Sequence, residues 1–226
     1  MVLCYVTDRR LLRSGATSGV APAHDLLAHI ERAAAAGVDW IQIREKHLSA
    51  RELLELTGNA IALIRKARKI DARVMVNDRL DVAIAAGAAG VHLGGTSIPV
   101  AEVVRWRRAG NAPEDFLVGA SCHDVQEAMA AERAGANYIF FGPVYETPSK
   151  KTFGAPQGIE SLAQVCASVQ IPVLAIGGIG QENAGDCLRA GAAGIAAIRL
   201  FQESLDAASL GDTVSRLHAI RPNASR

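Results

Sequence analysis

Short apolar runs alternate with longer amphipathic stretches along the chain. One clear run is Tyr138-Ile139-Phe140-Phe141, closed by Gly142-Pro143. An apolar run of that length bounded by Gly and Pro reads as a buried strand. Apolar residues on both of its faces suit a parallel sheet covered on both sides. Similar runs predict strands over residues 2–7, 40–43, 73–76, 90–93, 116–119, 173–176 and 194–198. Between them the pattern predicts helices over 23–36, from the Ser49/Glu52 capping box to about 67, and on to 86 after Arg79. Further helices run from Pro99 to about 108, from an Asp124 cap to 134, and over 159–168, 181–190 and 205–220.

A repeat reinforces this alternation. Ala36-Gly37, Ala86-Gly87, Ala134-Gly135 and Ala190-Gly191 each follow an Ala-rich helix and precede a strand. The glycine fits a helix C′ residue in the left-handed region, where a Cβ would clash. The spacing suits two βα units, so the device recurs at every second strand. Eight strands alternating with about as many helices point to a (β/α)8 barrel in one domain spanning residues 1–226. A doubly wound open sheet is the alternative, but it would rarely hold eight parallel strands at this length.

Composition narrows the classes. Half of the 226 residues are apolar and only 4% are aromatic, so the core is built mainly of Ala, Val, Ile and Leu. A net charge of +1 argues against a broad nucleic-acid surface but not against a local anion pocket. Cys4, Cys122, Cys166 and Cys187 show no CxxC spacing and read as reduced cytosolic thiols. The first residues lack a basic leader, and no run reaches the roughly 18 apolar residues of a membrane span. A cytoplasmic protein is expected, and a homo-oligomer is left open.

In such a barrel, chemistry gathers at the carboxyl ends of the strands. Those ends carry Thr7-Asp8-Arg9-Arg10, Gln42-Ile43-Arg44-Glu45-Lys46, Asn77-Asp78-Arg79 and His92-Leu93-Gly94-Gly95-Thr96-Ser97. The later ends carry Ser121-Cys122-His123-Asp124, the loop Thr147-Pro148-Ser149-Lys150-Lys151, Gly177-Gly178-Ile179-Gly180, and Ile198-Arg199. The hydroxyls and ammonium groups of Thr147 to Lys151 could grip a phosphate, or form a solvated loop. The glycine run would offer amides at a helix start, or make a tight turn. Asp78 suits a magnesium ligand that shares substrate phosphates, or a simple N-cap. Arg44 and Lys46 alternate with Glu45, so a cation could face inward; the competing reading is a surface network. His123 could be an acid–base group or a structural hydrogen bonder. Cys122 reads as packing, and Arg9 and Arg10 as rim or solvated loop. Cations, one carboxylate and a Gly-rich turn together suit a pyrophosphate with one Mg2+. No redox-cofactor fingerprint or Ser-His-Asp arrangement is present.

The ordered set YVTDRR, IQIREK, VNDRLDVAIAAGAAGVHLG, GASCH, YIFFGPVYETPSK and PVLAIGGI resembles the thiamine-phosphate synthase family and its sister, the thiazole tautomerases. The resemblance covers nearly the whole chain, residues 5–201. It implies a (β/α)8 barrel that joins 4-amino-2-methyl-5-hydroxymethylpyrimidine diphosphate to a thiazole phosphate or its carboxylated form, with Mg2+ as cofactor. By resemblance, Gln42, Arg44, Lys46 and Asn77 bind the pyrimidine diphosphate, Asp78 the metal, and Ser121 the pyrimidine and diphosphate. Thr147, Ser149 and Lys150 match the loop bridging the two substrates. Gly177, Gly178, Ile198 and Arg199 fall at the thiazole phosphate. Lys46, Ser121, His123 and Lys150 are the catalytic candidates.

Two positions depart from the family. Ser97 stands where synthases usually carry a second metal-binding Asp, and Arg199 where they carry a small hydroxyl residue. Ser97 and His123 suit a tautomerase, whereas Lys46 and Asp78, commonly lost in tautomerases, suit a synthase. A non-catalytic thiazole- or thiamine-phosphate binder is the third reading.

Overall fold

The computed structural model describes residues 1–12, 22–67, 71–147, 155–203 and 206–220. Among them eight parallel strands close into a barrel in sequence order, which excludes the open-sheet alternative. The strands are β1 (Val2–Val6), β2 (Trp40–Ile43), β3 (Arg73–Asn77), β4 (Gly90–Leu93), β5 (Leu117–Cys122), β6 (Tyr138–Phe141), β7 (Val173–Ile176) and β8 (Gly194–Ala197). The helices are α1 (Ala23–Ala35), α2 (Ala50–Lys66), α3 (Leu80–Ala85), α4 (Val100–Trp106), α5 (Val125–Arg133), α6 (Gly158–Ser168), α7 (Ala184–Arg189), α8 (Arg199–Gln202) and α9 (Ala207–Ala219).

Local sequence explains the boundaries. Ser49 and Glu52 form the reciprocal capping box that opens α2, and the Asp124 side chain accepts from the Glu127 amide to open α5. Gly37, Gly87, Gly135 and Gly191 all lie at positive φ, between 66° and 103°. Each stops a helix ahead of β2, β4, β6 or β8, as the repeat implies.

Several boundaries shift, most by one residue, and four bear on the site or its surroundings. Strand β5 begins one residue late and runs three residues past 119, so Ser121 and Cys122 belong to the strand. Strand β8 ends at Ala197, and Arg199 opens the short helix α8. Helix α4 gives way to a π-helical turn, Arg107–Asn111. Helix α7 starts at Ala184, beyond a turn at 181–183, so the glycine run does not directly open it. The expected start of the last helix, Leu205, lies outside the described residues.

Alternate residues of each strand serve two separate cores. Leu3, Tyr5, Ile41, Ile43, Val74 and Val76 pack outward, in one cluster with the buried faces of the helices. Cys4, Val6, Met75, Tyr138, Phe140, Leu174 and Ala196 form a second cluster inside the barrel. The interior is filled by pairing large residues with absent ones. Gly119 lies in register with Tyr138, and a Cβ there would come within 2.1 Å of the Tyr138 ring. Gly119→Ala is therefore expected to destabilise the fold by about 1–3 kcal/mol through overpacking. Urea denaturation should show a lower midpoint; an unchanged midpoint would mean that Tyr138 does not fill that space.

Candidate active site

The carboxyl ends of the strands surround a cavity of about 1320 Å3. Gln42, Arg44, Lys46, Asn77, Asp78, Ser121, His123, Thr147, Gly177, Gly178, Ile198 and Arg199 all line it. Ser149 and Lys150 lie outside the described residues.

Strand parity sorts the second strand end. Gln42, Arg44 and Lys46 reach the cup, whereas Ile43 joins the outer core and Glu45 is buried. Glu45 accepts the Arg9 amide at 3.1 and 3.2 Å, so the inward-facing cation, and not the competing Arg-Glu-Lys surface network, is the arrangement found. Burial raises the Glu45 pKa. The Arg44 amide is held by the buried Thr7 hydroxyl at 3.0 Å. Arg10 also lines the cup, its guanidinium on Asp8 through two 3.1 Å bonds.

A hydrogen-bond chain crosses to the next strands. Gln42 Nε2 donates to Asn77 Oδ1 at 2.8 Å, and Asn77 Nδ2 donates to Asp78 Oδ2 at 2.7 Å. Asp78 sits at φ 62°, a left-handed conformation uncommon outside glycine. Its carboxylate does not cap α3, whose N-cap is Arg79, so the simple capping role is not the one found. Instead Asp78 Oδ1 accepts from the Gly94 amide at 3.2 Å and from the Ser97 hydroxyl. The Gly94 amide also reaches Ser97 Oγ at 2.7 Å. Gln42 Oε1 is buried without a hydrogen-bond partner among the described residues, an acceptor placed to meet a ligand donor.

His92 was not singled out from sequence, yet it is a buried polar group of the cup. Its Nε2 lies 2.9 Å from Ser121 Oγ and its Nδ1 lies 3.3 Å from Tyr138 Oη. Burial pushes its pKa down to about 3, so the ring is neutral at physiological pH. The signal available in the sequence was a histidine at inward parity at a strand end. Its partners, 29 and 46 residues away, were not legible. His123 Nδ1 meets the Gly142 carbonyl. A carbonyl only accepts, so Nδ1 carries a proton, and Nε2 is the ring nitrogen left to exchange one with a ligand. Cys122 is buried and its thiol is pushed up to about 12, in keeping with packing.

On the far wall, Gly177 and Gly178 have φ of 97° and 65°. Asn183 braces this turn: its Oδ1 accepts from the Gly180 amide at 2.9 Å and its Nδ2 donates to the Gly178 carbonyl at 3.0 Å. A Cβ at Gly178 would meet the Glu146 carbonyl at 2.4 Å, so only glycine fits between the two loops. Arg199 lines the cup, with its Nε 4.0 Å from the Glu203 carboxylate.

The donors present can be set against the expected magnesium. Among the described residues no group of three or more His, Cys, Asp or Glu could enclose a metal ion. Asp78 is one carboxylate, three of whose lone pairs already meet donors, with one position left on Oδ2. This suits Mg2+, which commonly takes one or two carboxylates and completes its shell with water and substrate phosphate.

The closed barrel places the chain among (β/α)8 folds, with a polar cavity at the carboxyl rim. A family model described as thiamine monophosphate synthase matches residues 14–201, and the chain belongs to that family. The chain is 39% identical to the thiamine-phosphate synthase of Chloroflexus aurantiacus, over 88% of this chain and 87% of that one. It is 43% identical to that of Methanoculleus marisnigri, over 80% and 82%. Among solved structures, thiamine phosphate pyrophosphorylase from Pyrococcus furiosus superposes with a TM-score of 0.77 at 31% identity, over 96% of each chain. A 3-hexulose-6-phosphate synthase, 20% identical with a TM-score of 0.68, shares the fold alone.

Ser97→Asp would add a second carboxylate beside Asp78. Binding of Mn2+, used as a magnesium probe and followed by electron paramagnetic resonance, is expected to tighten roughly tenfold. An unchanged titration would remove Asp78 from the metal site.

Proposed function

We propose that this chain couples hydroxymethylpyrimidine diphosphate to thiazole phosphate, or to its carboxylate, giving thiamine phosphate and diphosphate, with CO2 also released when the carboxylate is used. The observation that carries the reading is convergence. Arg44, Lys46 and Asp78 on one wall and the Gly177-Gly178 turn on the other open into one cup. An anion held at each wall brings a diphosphate-bearing carbon and a thiazole nitrogen together.

The bond between the pyrimidine methylene and the diphosphate oxygen breaks, and its electron pair leaves with the diphosphate. The thiazole nitrogen gives its lone pair to the methylene carbon, forming the C–N bond and a thiazolium. No protein nucleophile is required. Arg44 and Lys46 stabilise charge on the departing oxygens, with Lys150 expected to join them. Asp78 would hold Mg2+, which when bound neutralises part of the same charge. Gln42 and Asn77 orient the pyrimidine, Ser121 touches it or its diphosphate, and Thr147, with Ser149 expected to join it, contacts both substrates. The amides near Gly177 and Gly178, with Ile198 and Arg199 beside them, seat the thiazole phosphate.

His123 and Ser97 favour a second reading, a thiazole tautomerase. With Nδ1 held by the Gly142 carbonyl, His123 Nε2 is the nitrogen that could move a proton on the thiazole ring. Incubation with both phosphorylated substrates, with and without Mg2+, separates the two. Thiamine phosphate formed only with Mg2+ supports coupling; thiazole isomerisation indifferent to Mg2+ and to the pyrimidine supports the tautomerase.

Asp78→Ala is expected to abolish coupling while thiazole-phosphate binding persists in calorimetry. Full turnover of that variant under Mg2+ would remove Asp78 from the mechanism. His123→Ala is expected to lower coupling only a few-fold; near-total loss together with loss of isomerisation would favour the tautomerase.

A further inference from the structure

We infer that His92 is a positioning residue: held by Tyr138 as the Nε2–H tautomer, it donates to Ser121 and leaves the Ser121 hydroxyl proton free for the ligand. The three groups form a line from the barrel interior to the cup, with Tyr138 Oη 3.3 Å from His92 Nδ1 and His92 Nε2 2.9 Å from Ser121 Oγ. Tyr138 and His92 are each 1% exposed, and Ser121 lines the cup. Strand register builds the line, since β5 Gly119 pairs with both His92 and Tyr138 and opens the space between them.

Two proton orders are available. In the first, the Tyr138 phenol donates to Nδ1, Nε2–H donates to Ser121 Oγ, and the serine proton points to the cup. In the second, Ser121 donates to Nε2, Nδ1–H donates to the phenol oxygen, and the phenol proton is left over. Around that proton are the Trp40 ring at 4.7 Å from the Tyr138 ring, Phe140 at 5.5 Å, Gly119, and the Cys4 thiol of the same interior cluster, which makes no hydrogen bond to the phenol. Among the described residues Tyr138 Oη has no hydrogen-bond partner but His92. A buried donor without an acceptor is penalised far more than an unused lone pair, so the first order prevails. Phe140, its ring centroid 4.1 Å from that of His92, holds the imidazole in plane for both bonds.

Ser121 therefore meets its ligand as a donor. Its natural partner is an acceptor atom, either a phosphate oxygen or a ring nitrogen lone pair, and not an amino group. The catalytic part of this inference rests on the coupling reaction proposed above; the proton order does not.

The tautomer is read directly in the full-length protein labelled with 15N-histidine, by long-range proton–nitrogen correlation, with His92 assigned by its disappearance in His92→Gln. The Nε2–H form is expected; an Nδ1–H ring would overturn the inference whatever the substrate. The link to the ligand is read by a double-mutant cycle on KM for the pyrimidine diphosphate. His92→Leu is expected to raise KM about tenfold. His92→Gln, which keeps a donor near the Nε2 position, is expected to recover most of that. In a Ser121→Ala background, His92→Leu should add less than about twofold. Effects that multiply in full would show that His92 acts independently of Ser121. If no turnover is found, the same cycle on inorganic pyrophosphate affinity serves, with the same outcomes supporting or overturning the inference.

Discussion

Side chains of a strand alternate between two faces, and in a closed parallel sheet those faces have different fates. One face meets the helices and must be apolar along its whole length. The other meets the barrel interior, which is closed by packing in the middle and open to water at the carboxyl rim. Polar residues at inward parity near that rim are therefore tolerated only if hydrogen-bonded or wetted. Gln42, Asn77, His92 and Ser121 are residues of this kind, and three of them sit one or two steps above Met75 or Tyr138, which plug the interior.

The same constraint governs the charges. Arg44 and Lys46 share inward parity and meet in the cup, while Glu45 between them is turned under the Arg9 amide. The wall they form is consequently cationic, because its acid is spent on a backbone loop. Beside the cations, at the end of the neighbouring strand, Asp78 is held in a left-handed conformation by donors from β3 and the loop after β4. Strain at such a position persists only where its surroundings over-determine it, and Ser97, Gly94 and Asn77 supply that determination.

Much of this architecture was legible in the residues. Apolar runs marked every strand because buried parallel strands need no polar face, and the Ala-Gly repeat marked the stops of alternate helices. The end of β5 was missed since Ala120-Ser121-Cys122 lacks the branched and aromatic residues by which strands are recognised. Helix α8 was missed since Ile198-Arg199-Leu200-Phe201 reads as a strand continuing. The cup residues were legible as strand ends. What could not be read were pairings across strands: Ser97 on Asp78, Gln42 on Asn77, and His92 between Tyr138 and Ser121. These depend on register, and register is a property of the closed sheet, not of any one segment.

The turned-under acid between two inward cations has a consequence for how such a chain can diverge. Point replacements at either cation would merely weaken the wall. A single codon gained or lost between Trp40 and Arg44 would swap faces, carrying Glu45 into the cup and both cations onto the helices. That segment is thus far less forgiving of length change than of substitution, and lineages of this barrel should vary in their loops while β2 keeps its reading frame of faces.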